Sequence, residues 1–448
     1  MATCRFFVAL LVLFPLFGNA QDEIRLDVSA AMPAPILALG PARAESAGLE
    51  AVAKEIEQVL SYDLEFGKSV RLFGDQARLR EQMDRDRAKQ TVDYAAWNSL
   101  GVQYVVTPLT RRSGENQIEL DILVHDVRDG RLLVGKRVAL RLEQLRQSLH
   151  RMSDLIVYEC TRREGIAQTS ILFVYHSPTA HSKEIFVMDY DGWPGSVRQL
   201  TQFGSVTQFP SWSPDGQRFA YSSFRTGWLD AYTQDLDSGR LSFLAKSPGN
   251  NLTPSWFPNS PDWLTISLSF VGNAEIYLLR RDGKQPKRLT DDPSIETSPV
   301  ISPDGNQIVF TSDRSRIATL YLMNMDGSNV RRLVLESRLS CDTGQWSPVP
   351  IDGKYRIAFR GYVVGQVRGD IYTIAADGTD LRNLTQGRGD NSNPTWSPDG
   401  NYIAFSTIRG APKSELWVME QDGTNPRRLL SLKGNSLQPA WSPRPKEK

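Results

Sequence analysis

Trp396-Ser397-Pro398-Asp399-Gly400 is the stretch on which the fold turns, because it does not occur once. Whole or in part it returns as Trp212-Ser213-Pro214-Asp215-Gly216, Trp256-Phe257-Pro258-Asn259, Ile301-Ser302-Pro303-Asp304-Gly305, Trp346-Ser347-Pro348 and Trp441-Ser442-Pro443. The prolines of these six phrases are separated by 44, 45, 45, 50 and 45 residues. A period of that length belongs to stacked supersecondary units and predicts a β-propeller.

The residues around each phrase agree with that reading. After the turn comes a β-branched or aromatic run: Arg218 to Tyr221, Trp263 to Ile266, Gln307 to Phe310, Arg356 to Phe359 and Tyr402 to Phe405. A second register is carried by an aromatic in the next strand, at Phe186, Tyr232, Tyr277, Tyr321, Tyr372 and Trp417. Each of those strands leads to a turn ending in glycine, at Gly192, Gly239, Gly283, Gly327, Gly378 and Gly423, and then to a short outer strand. Four strands make one blade. The first unit, Ser170 to Thr201, has no phrase before it, and the last phrase has only a charged tail after it. Residues 435 to 443 are therefore expected to supply the innermost strand of the first blade, closing a ring of six and leaving no open sheet edge.

Upstream of about residue 165 the pattern changes. Leu49, Val52, Ile56 and Leu60 recur at helical spacing behind a candidate cap, Ser46. Asp93 to Leu100 reads as a second short helix, Val102 to Pro108 as a strand, and Gln117 to Val127 with Leu132 to Leu140 as a hairpin turning at Asp129-Gly130. A last helix from about Leu142 to Cys160 puts Leu145, Leu149, Met152, Leu155 and Ile156 on one face. The fold class expected is an α/β N-terminal domain with one mixed sheet, residues 35–165, followed by an all-β six-bladed propeller, residues 166–448, closed by the C-terminal strand.

The front of the chain carries Arg5, an apolar run from Phe6 to Phe17, then Gly18-Asn19-Ala20, which reads as a secretory signal over residues 1–20. The run is too short to span a bilayer comfortably. Removing Arg5 takes the formal charge from +1 to zero, so no net field calls for nucleic acid or an anionic membrane. Cys160 and Cys341 are left in the mature chain, one in each expected domain, and are read as unpaired.

No catalytic constellation stands out, and neither a metal nor a cofactor is expected. A Gly-x-Ser-x-Gly elbow is absent, and His125, His150, His176 and His181 match no zinc pattern. His176 and His181 could share a metal across neighbouring strands, with unliganded surface histidines as the plainer alternative. The acidic residues Glu184, Asp230, Glu275, Asp370 and Glu415 occur one per blade, whereas calcium needs converging oxygens. The repeated phrase itself reads as scaffold, since a site usually breaks symmetry. Contact is sought instead where the repeats differ, three residues before a second repeated proline (Pro210, Pro254, Pro299, Pro394 and Pro439) or its counterpart Gly344: Thr207, Asn251, Glu296, Cys341, Asn391 and Ser436. Their polarity is what a solvated mouth of the central channel requires, with ordinary loop polarity as the alternative. Glu296 with Thr297 is the most contact-like pair.

A signal peptide, a small α/β domain and six such blades together resemble the TolB family. The likeness includes Asp22-Glu23-Ile24-Arg25-Leu26-Asp27-Val28, then Pro35-Ile36-Leu37-Ala38-Leu39, and Ala95-Ala96-Trp97-Asn98-Ser99-Leu100-Gly101 before a Val-rich strand. It implies a periplasmic, non-enzymatic, monomeric component of the Tol-Pal envelope assembly, supporting outer-membrane integrity and envelope constriction at cell division. It further implies a peptidoglycan-associated lipoprotein (Pal) bound at the propeller mouth, and TolA bound by a tail at residues 21–34 through Asp22, Glu23, Ile24, Arg25, Leu26, Asp27 and Val28. Other outer-membrane proteins would be further partners. The alternation in that tail suits strand addition, in which backbone bonds give affinity and alternate side chains give specificity. Lipoprotein binding would order or release it, a coupling typically worth about 1 to 3 kcal/mol. Gly344 in place of the proline, the wide spacing near Asp352-Gly353, and Asn259-Ser260 depart from the pattern and leave the partner at those loops open. Two other classes compete: a propeller enzyme of lyase or lactonase type, and a sugar- or peptide-binding receptor using the channel.

Overall fold

The computed structural model describes residues 33–445 apart from 285 and 411, so the signal read over residues 1–20 and the tail Asp22 to Val28 lie outside the described residues. Among the described residues no helix is long and apolar enough to cross a membrane.

The α/β part runs β1 (Ile36–Leu39), β2 (Arg43–Ala44), α1 (Glu50–Phe66), β3 (Arg71–Leu72), α2 (Gln76–Lys89), α3 (Tyr94–Ser99), β4 (Tyr104–Gly114), β5 (Gln117–Asp126), β6 (Arg131–Arg141) and α4 (Leu145–Thr161). Its sheet is mixed, in the order β3-β1-β4-β5-β6. β1 pairs in parallel with β3 and β4, whereas β4, β5 and β6 form an antiparallel meander. Helices α1 and α4 lay Ile56, Leu60, Leu64, Leu149 and Ile156 against Val106, Leu120, Ile122 and Val124 of the sheet. Ser46 does not cap α1, which starts at Glu50 after Leu49; the Ser46 hydroxyl instead accepts from the Arg112 amide at 3.1 Å. Helix α2 has no counterpart in the sequence reading, because its buried apolar residues are only Leu79 and Met83, too few to show a helical stripe, and polar contacts complete its hold. The Asp86 carboxylate accepts from Gln82 Nε2 at 2.8 Å, Trp97 Nε1 at 2.7 Å and the Asp93 amide at 3.1 Å.

Six four-stranded antiparallel sheets follow. Blade one is Asn435–Trp441, Ser170–His176, Lys183–Asp189 and Arg198–Gln199, from the inside outward. The inner strands of blades two to six are Thr207–Trp212, Asn251–Phe257, Glu296–Ile301, Leu339–Trp346 and Asp390–Trp396. Closure is direct: Ser436 is registered on Tyr175, Leu437 on Val174 and Trp441 on Ile171.

The phrase is hairpin chemistry and blade seam at once. Ser213 Oγ donates to Asp215 at 2.5 Å and accepts from the Arg218 amide at 3.0 Å, and Ser302 and Ser397 repeat that arrangement. The glycine takes a positive φ, for example 66° at Gly216 and 75° at Gly400, where a side chain would be strained. Four of the indoles then reach the preceding blade. Trp212 Nε1 donates to the Ala440 carbonyl, Trp256 to Ser211, Trp346 to Val300 and Trp396 to Gln345, at 2.9 to 3.2 Å.

The α/β domain rests on the turn-bearing face of blades one and six. Phe66 at the end of α1 lies 4.3 Å from the ring of Tyr402 and 5.0 Å from that of Tyr190, and it joins the same apolar cluster as Trp441. The Tyr402 hydroxyl donates to the Phe66 carbonyl at 2.6 Å.

Trp441 sits on both the closing strand and the domain junction, and its indole donates to Thr169 Oγ1 at 2.9 Å. Trp441→Ala is expected to lower stability by about 3 to 5 kcal/mol, as emptying a large buried site does. Urea unfolding followed by circular dichroism reads that loss as a shift in midpoint.

Candidate functional site

Antiparallel order gives the propeller two unlike faces. The Ser-Pro-Asp-Gly and Asp-Gly turns point one way, toward the α/β domain. The loops joining second to third strands, and those entering each next blade, point the other way. Among the described residues this second face makes no hydrogen bond or ion pair with the α/β domain, and most of the propeller's exposed large apolar side chains stand on it. Phe224 and Trp228 project from the loop of blade two, Phe270 and Val271 from that of blade three, and Val364 and Val367 from that of blade five. Ile295 and Leu335 stand on the approaches to blades four and five, and Ile408 ends the second strand of blade six. Trp228 is 70%, Leu335 74% and Val367 90% exposed, values that neither packing nor folding explains.

Arginines stand among these knobs, each on an aromatic platform. Arg225 lies 5.5 Å from the ring centre of Tyr232, Arg314 5.0 Å from Tyr321, and Arg409 4.7 Å from Trp417. The repeated third-strand aromatic, found in the sequence as a register mark, thus holds a cation in three blades. Arg409 is pushed below its ordinary value by burial and by Arg388 nearby. Exposed Trp and Phe beside pre-oriented Arg is the composition of protein-binding surfaces.

The residues singled out in the sequence occupy a different place from the one expected. Thr207, Asn251, Glu296, Cys341, Asn391 and Ser436 are fully buried rather than solvated. Their amides stitch one blade to the last: those of Asn251, Glu296, Cys341, Asn391 and Ser436 donate to Leu229, Ala274, Ala318, Gly369 and Ser414 at 2.8 to 3.1 Å. Side chains add bonds both between blades and within them. Asn251 Nδ2 donates to the Leu229 carbonyl at 2.8 Å, Asn391 Oδ1 accepts from Thr407 Oγ1 at 2.7 Å, and Thr207 meets Ser223 at 3.0 Å. Polarity here serves a buried seam, which needs hydrogen-bonding groups as much as a mouth does. Thr297 differs, being half-buried with Gln208, Leu252, Asp342, Ser392 and Leu437 at the equivalent positions.

What lines the channel lies two residues further on. Phe209, Thr253, Ser298, Thr343, Asn393 and Gln438 all adopt positive φ, between 49° and 59°, where each inner strand bulges. They border a cavity of about 500 Å³ toward the turn face, with the phrase tryptophans and prolines beside them. Neighbours are linked around this ring: Gln438 Oε1 accepts from the Phe209 amide at 2.8 Å and Thr253 Oγ1 from the Ser298 amide at 3.2 Å. A bulge re-aims the side chains after it, so alternation counted from the proline missed them. The signal present was polarity just before the proline in five repeats of six.

The acidic series is also structural. Glu184 accepts from Thr201 Oγ1 at 2.6 Å and from the amides of Phe203 and Gly204, and Glu275 and Asp370 brace the following loop in the same way. Cys160 and Cys341 are buried free thiols, both pushed up to about 12 by burial first.

Known proteins match this chain along most of its length. A family model described as the TolB amino-terminal domain matches residues 23–133, and one described as the TolB beta propeller domain matches residues 158–445. A TolB homolog from Chlorobium chlorochromatii is 36% identical over 228 residues, 51% of this chain and 50% of that protein. A second, from Chlorobium luteolum, is 30% identical over 295 residues, 66% of this chain and 65% of the relative. The Tol-Pal system protein TolB of Desulfosudis oleivorans is 32% identical over 233 residues, 52% and 51% of the two chains. The chain thus spans between half and two thirds of the length of these curated relatives. Among solved structures, TolB from Acinetobacter baumannii superposes with a TM-score of 0.74 at 26% identity, covering 92% of this chain and 97% of that one.

Glu296 supplies the test of the seam. Its Oε1 accepts from Ser312 Oγ at 2.8 Å and Arg314 Nη2 at 3.0 Å, whereas Oε2 is buried without a partner. Burial leads over those partners and holds the carboxyl above its usual range. A carboxyl raised in this way loses stability as pH climbs from its unfolded value of about 4.3 to its folded one, so Glu296→Gln should flatten the fall in stability that begins above about pH 4. Arg314→Ala should cost about 3 kcal/mol at pH 7 by leaving that charge uncompensated. Thermal unfolding across pH checks both.

Proposed function

The chain belongs to the TolB family, and from that premise we propose that it is a periplasmic, non-enzymatic component of the Tol-Pal envelope assembly. Its free propeller face binds a peptidoglycan-associated lipoprotein, and residues 22 to 28 engage TolA. The assembly's work in outer-membrane integrity and in constriction at division is the setting this reading gives the protein. Membership of the family and the name of the Desulfosudis relative support a place among Tol-Pal components. The observation that carries the choice of surface is the ring of exposed Trp228, Phe270, Leu335 and Val367 among aromatic-backed arginines.

The geometry explains how such a face would hold a protein. Bulky apolar knobs displace water over a wide area, and one buried aromatic of this kind is worth about 2 kcal/mol or more at an interface centre. Arginines already fixed on rings lose little freedom on binding, so their hydrogen bonds to acidic or carbonyl groups cost less to form. Thr297 and its half-buried equivalents floor the middle of the face, where a protruding loop of the lipoprotein would reach the channel. The seam residues Thr207, Asn251, Glu296, Asn391 and Ser436 act in this reading as the rigid support beneath the face. The tail, with Glu23, Arg25 and Asp27 alternating against Ile24, Leu26 and Val28, pairs as an added strand with TolA. Lipoprotein binding shifts whether that tail is docked or free.

Binding of the purified lipoprotein domain to the mature chain tests the assignment. Trp228→Asp or Val367→Asp should weaken it at least tenfold, about 1.4 kcal/mol, with the thermal midpoint unchanged. Leu381→Asp, on a turn of the opposite face, should bind as wild type does. Deleting residues 22 to 28 should abolish capture of TolA and leave lipoprotein binding intact. Failure of the wild-type chain to bind either partner would defeat the Tol-Pal reading, and loss through Leu381→Asp alone would move the interface to the other face.

A further inference from the structure

The junction of the α/β domain with blade one contains a buried polar cluster that partner binding does not use. Asp63 of α1 accepts from Ser153 Oγ at 2.7 Å, from the Tyr190 hydroxyl at 2.7 Å, and from His150 Nδ1 at 2.8 Å. A carboxylate can only accept, so the proton of that last bond belongs to Nδ1. The other ring nitrogen, Nε2, is buried without a hydrogen-bond partner, on a side chain only 4% exposed. Its nearest charged neighbour is Asp189 Oδ2 of the propeller, 3.8 Å away. With Nε2 bare, a lone pair faces a carboxylate; with Nε2 protonated, the same contact becomes an attraction between the domains.

The groups facing His150 come from every element packed there. Helix α1 contributes Asp63. From α4 come Arg146, which pairs with Asp191 and lies 4.0 Å from Asp189, and Asp154, whose carboxylate accepts from the amides of Ala167 and Gln168 at 2.8 and 3.1 Å. Blade one contributes Asp189, Asp191 and Tyr190, the last kept neutral first by its burial. Around the imidazole, Asp63, Asp189 and Asp191 thus confront the single guanidinium of Arg146, and a second positive charge is wanted. Asp63, His150 and Asp191 lie within 4.8 Å of one another, close enough to suggest a metal. Arg146 already takes the cation's place beside Asp191, however, and Asp63 is filled by its three donors.

We infer that His150 is a proton-operated latch: its imidazolium ties Asp63 of α1 to Asp189 of the propeller, and loss of the Nε2 proton loosens the α/β domain on blade one. The direction of the titration agrees. Burial opposes charge on His150, but the hydrogen bond and charge of Asp63, with Asp191 and Asp189, outweigh it and raise the imidazole above its ordinary value. A histidine raised on folding gives stability that is whole below its unfolded value of about 6.5 and is lost as pH rises through the folded one. The latch is therefore closed in mild acid and opens as pH rises from about 6.5 through the folded midpoint.

Two measurements on the full chain test this. In ¹⁵N-histidine spectra, His150 should titrate with a midpoint above that of exposed His181 and show Nδ1–H as its neutral tautomer. Hydrogen exchange of segments 146–154 and 186–191, corrected for intrinsic rates, should report opening that becomes more frequent by up to about tenfold per pH unit between about 6.5 and the folded midpoint, and levels off above it. His150→Gln, which can donate to Asp63 but takes no proton, should abolish that dependence. Asp189→Asn, altering a side chain 35% exposed, should lower the His150 midpoint and serves should the first variant not fold. A His150 midpoint at or below that of His181 would overturn the latch. So would unchanged pH dependence in His150→Gln, no shift in Asp189→Asn, or stoichiometric zinc uptake that abolishes the titration.

Discussion

The pairing of Asn435–Trp441 with Ser170–His176 governs the rest of the molecule. It joins strands more than 250 residues apart, so it brings no local gain until the five intervening blades are in place, and it makes their packing mutually dependent. Without it, blade one would present an unpaired inner edge and blade six an uncovered flank. With it, Trp441 completes the apolar cluster in which Phe66, Tyr190 and Tyr402 meet. The ring and the seat of the α/β domain are therefore one structural event, located where the chain's end returns to its middle.

Closure also decides which surfaces are left for function. The turn face of blades one and six is covered by α1 and α4, whereas the loop face is free of the α/β domain. Seam polarity sits beneath the free face, with Asn251 and Asn391 spending their amides on neighbouring blades and Glu296 pinned by Ser312 and Arg314. Above that rigid layer the loops are free to vary, which is how one scaffold supports contact with a particular partner. Charge at this face is arranged as Arg on aromatic rings, and charge at the junction as carboxylates around Arg146 and His150. The first suits recognition from solution; the second suits control of how firmly the two domains are joined.

Much of this was legible in the sequence because repetition multiplies weak signals. Ring size, blade boundaries and the closing strand all followed from the spacing of one phrase, and the mixed sheet from ordinary alternation and the Asp129-Gly130 turn. Helix α2 escaped because Leu79 and Met83 alone mark its apolar side, with Asp86 and its donors completing the hold. The channel ring at Phe209, Thr253, Ser298, Thr343, Asn393 and Gln438 escaped because a bulge breaks the period-two count on which facing was judged. Polar residues at the seam resembled a mouth for a physical reason: burial between blades and exposure to solvent both demand hydrogen bonding. The free face was the hardest part to read, since its knobs fall in loops of unequal length and share no register.

The face turned away from the α/β domain is proposed as the partner face. Hydrogen exchange of the mature chain, alone and saturated with the soluble domain of the peptidoglycan-associated lipoprotein, tests it without any substitution. Slowed exchange is expected in the loops 224–229, 270–274, 292–296, 335–339 and 363–369, with the Ser-Pro-Asp-Gly turns unchanged. Protection of those turns, with the loops unaltered, would contradict it.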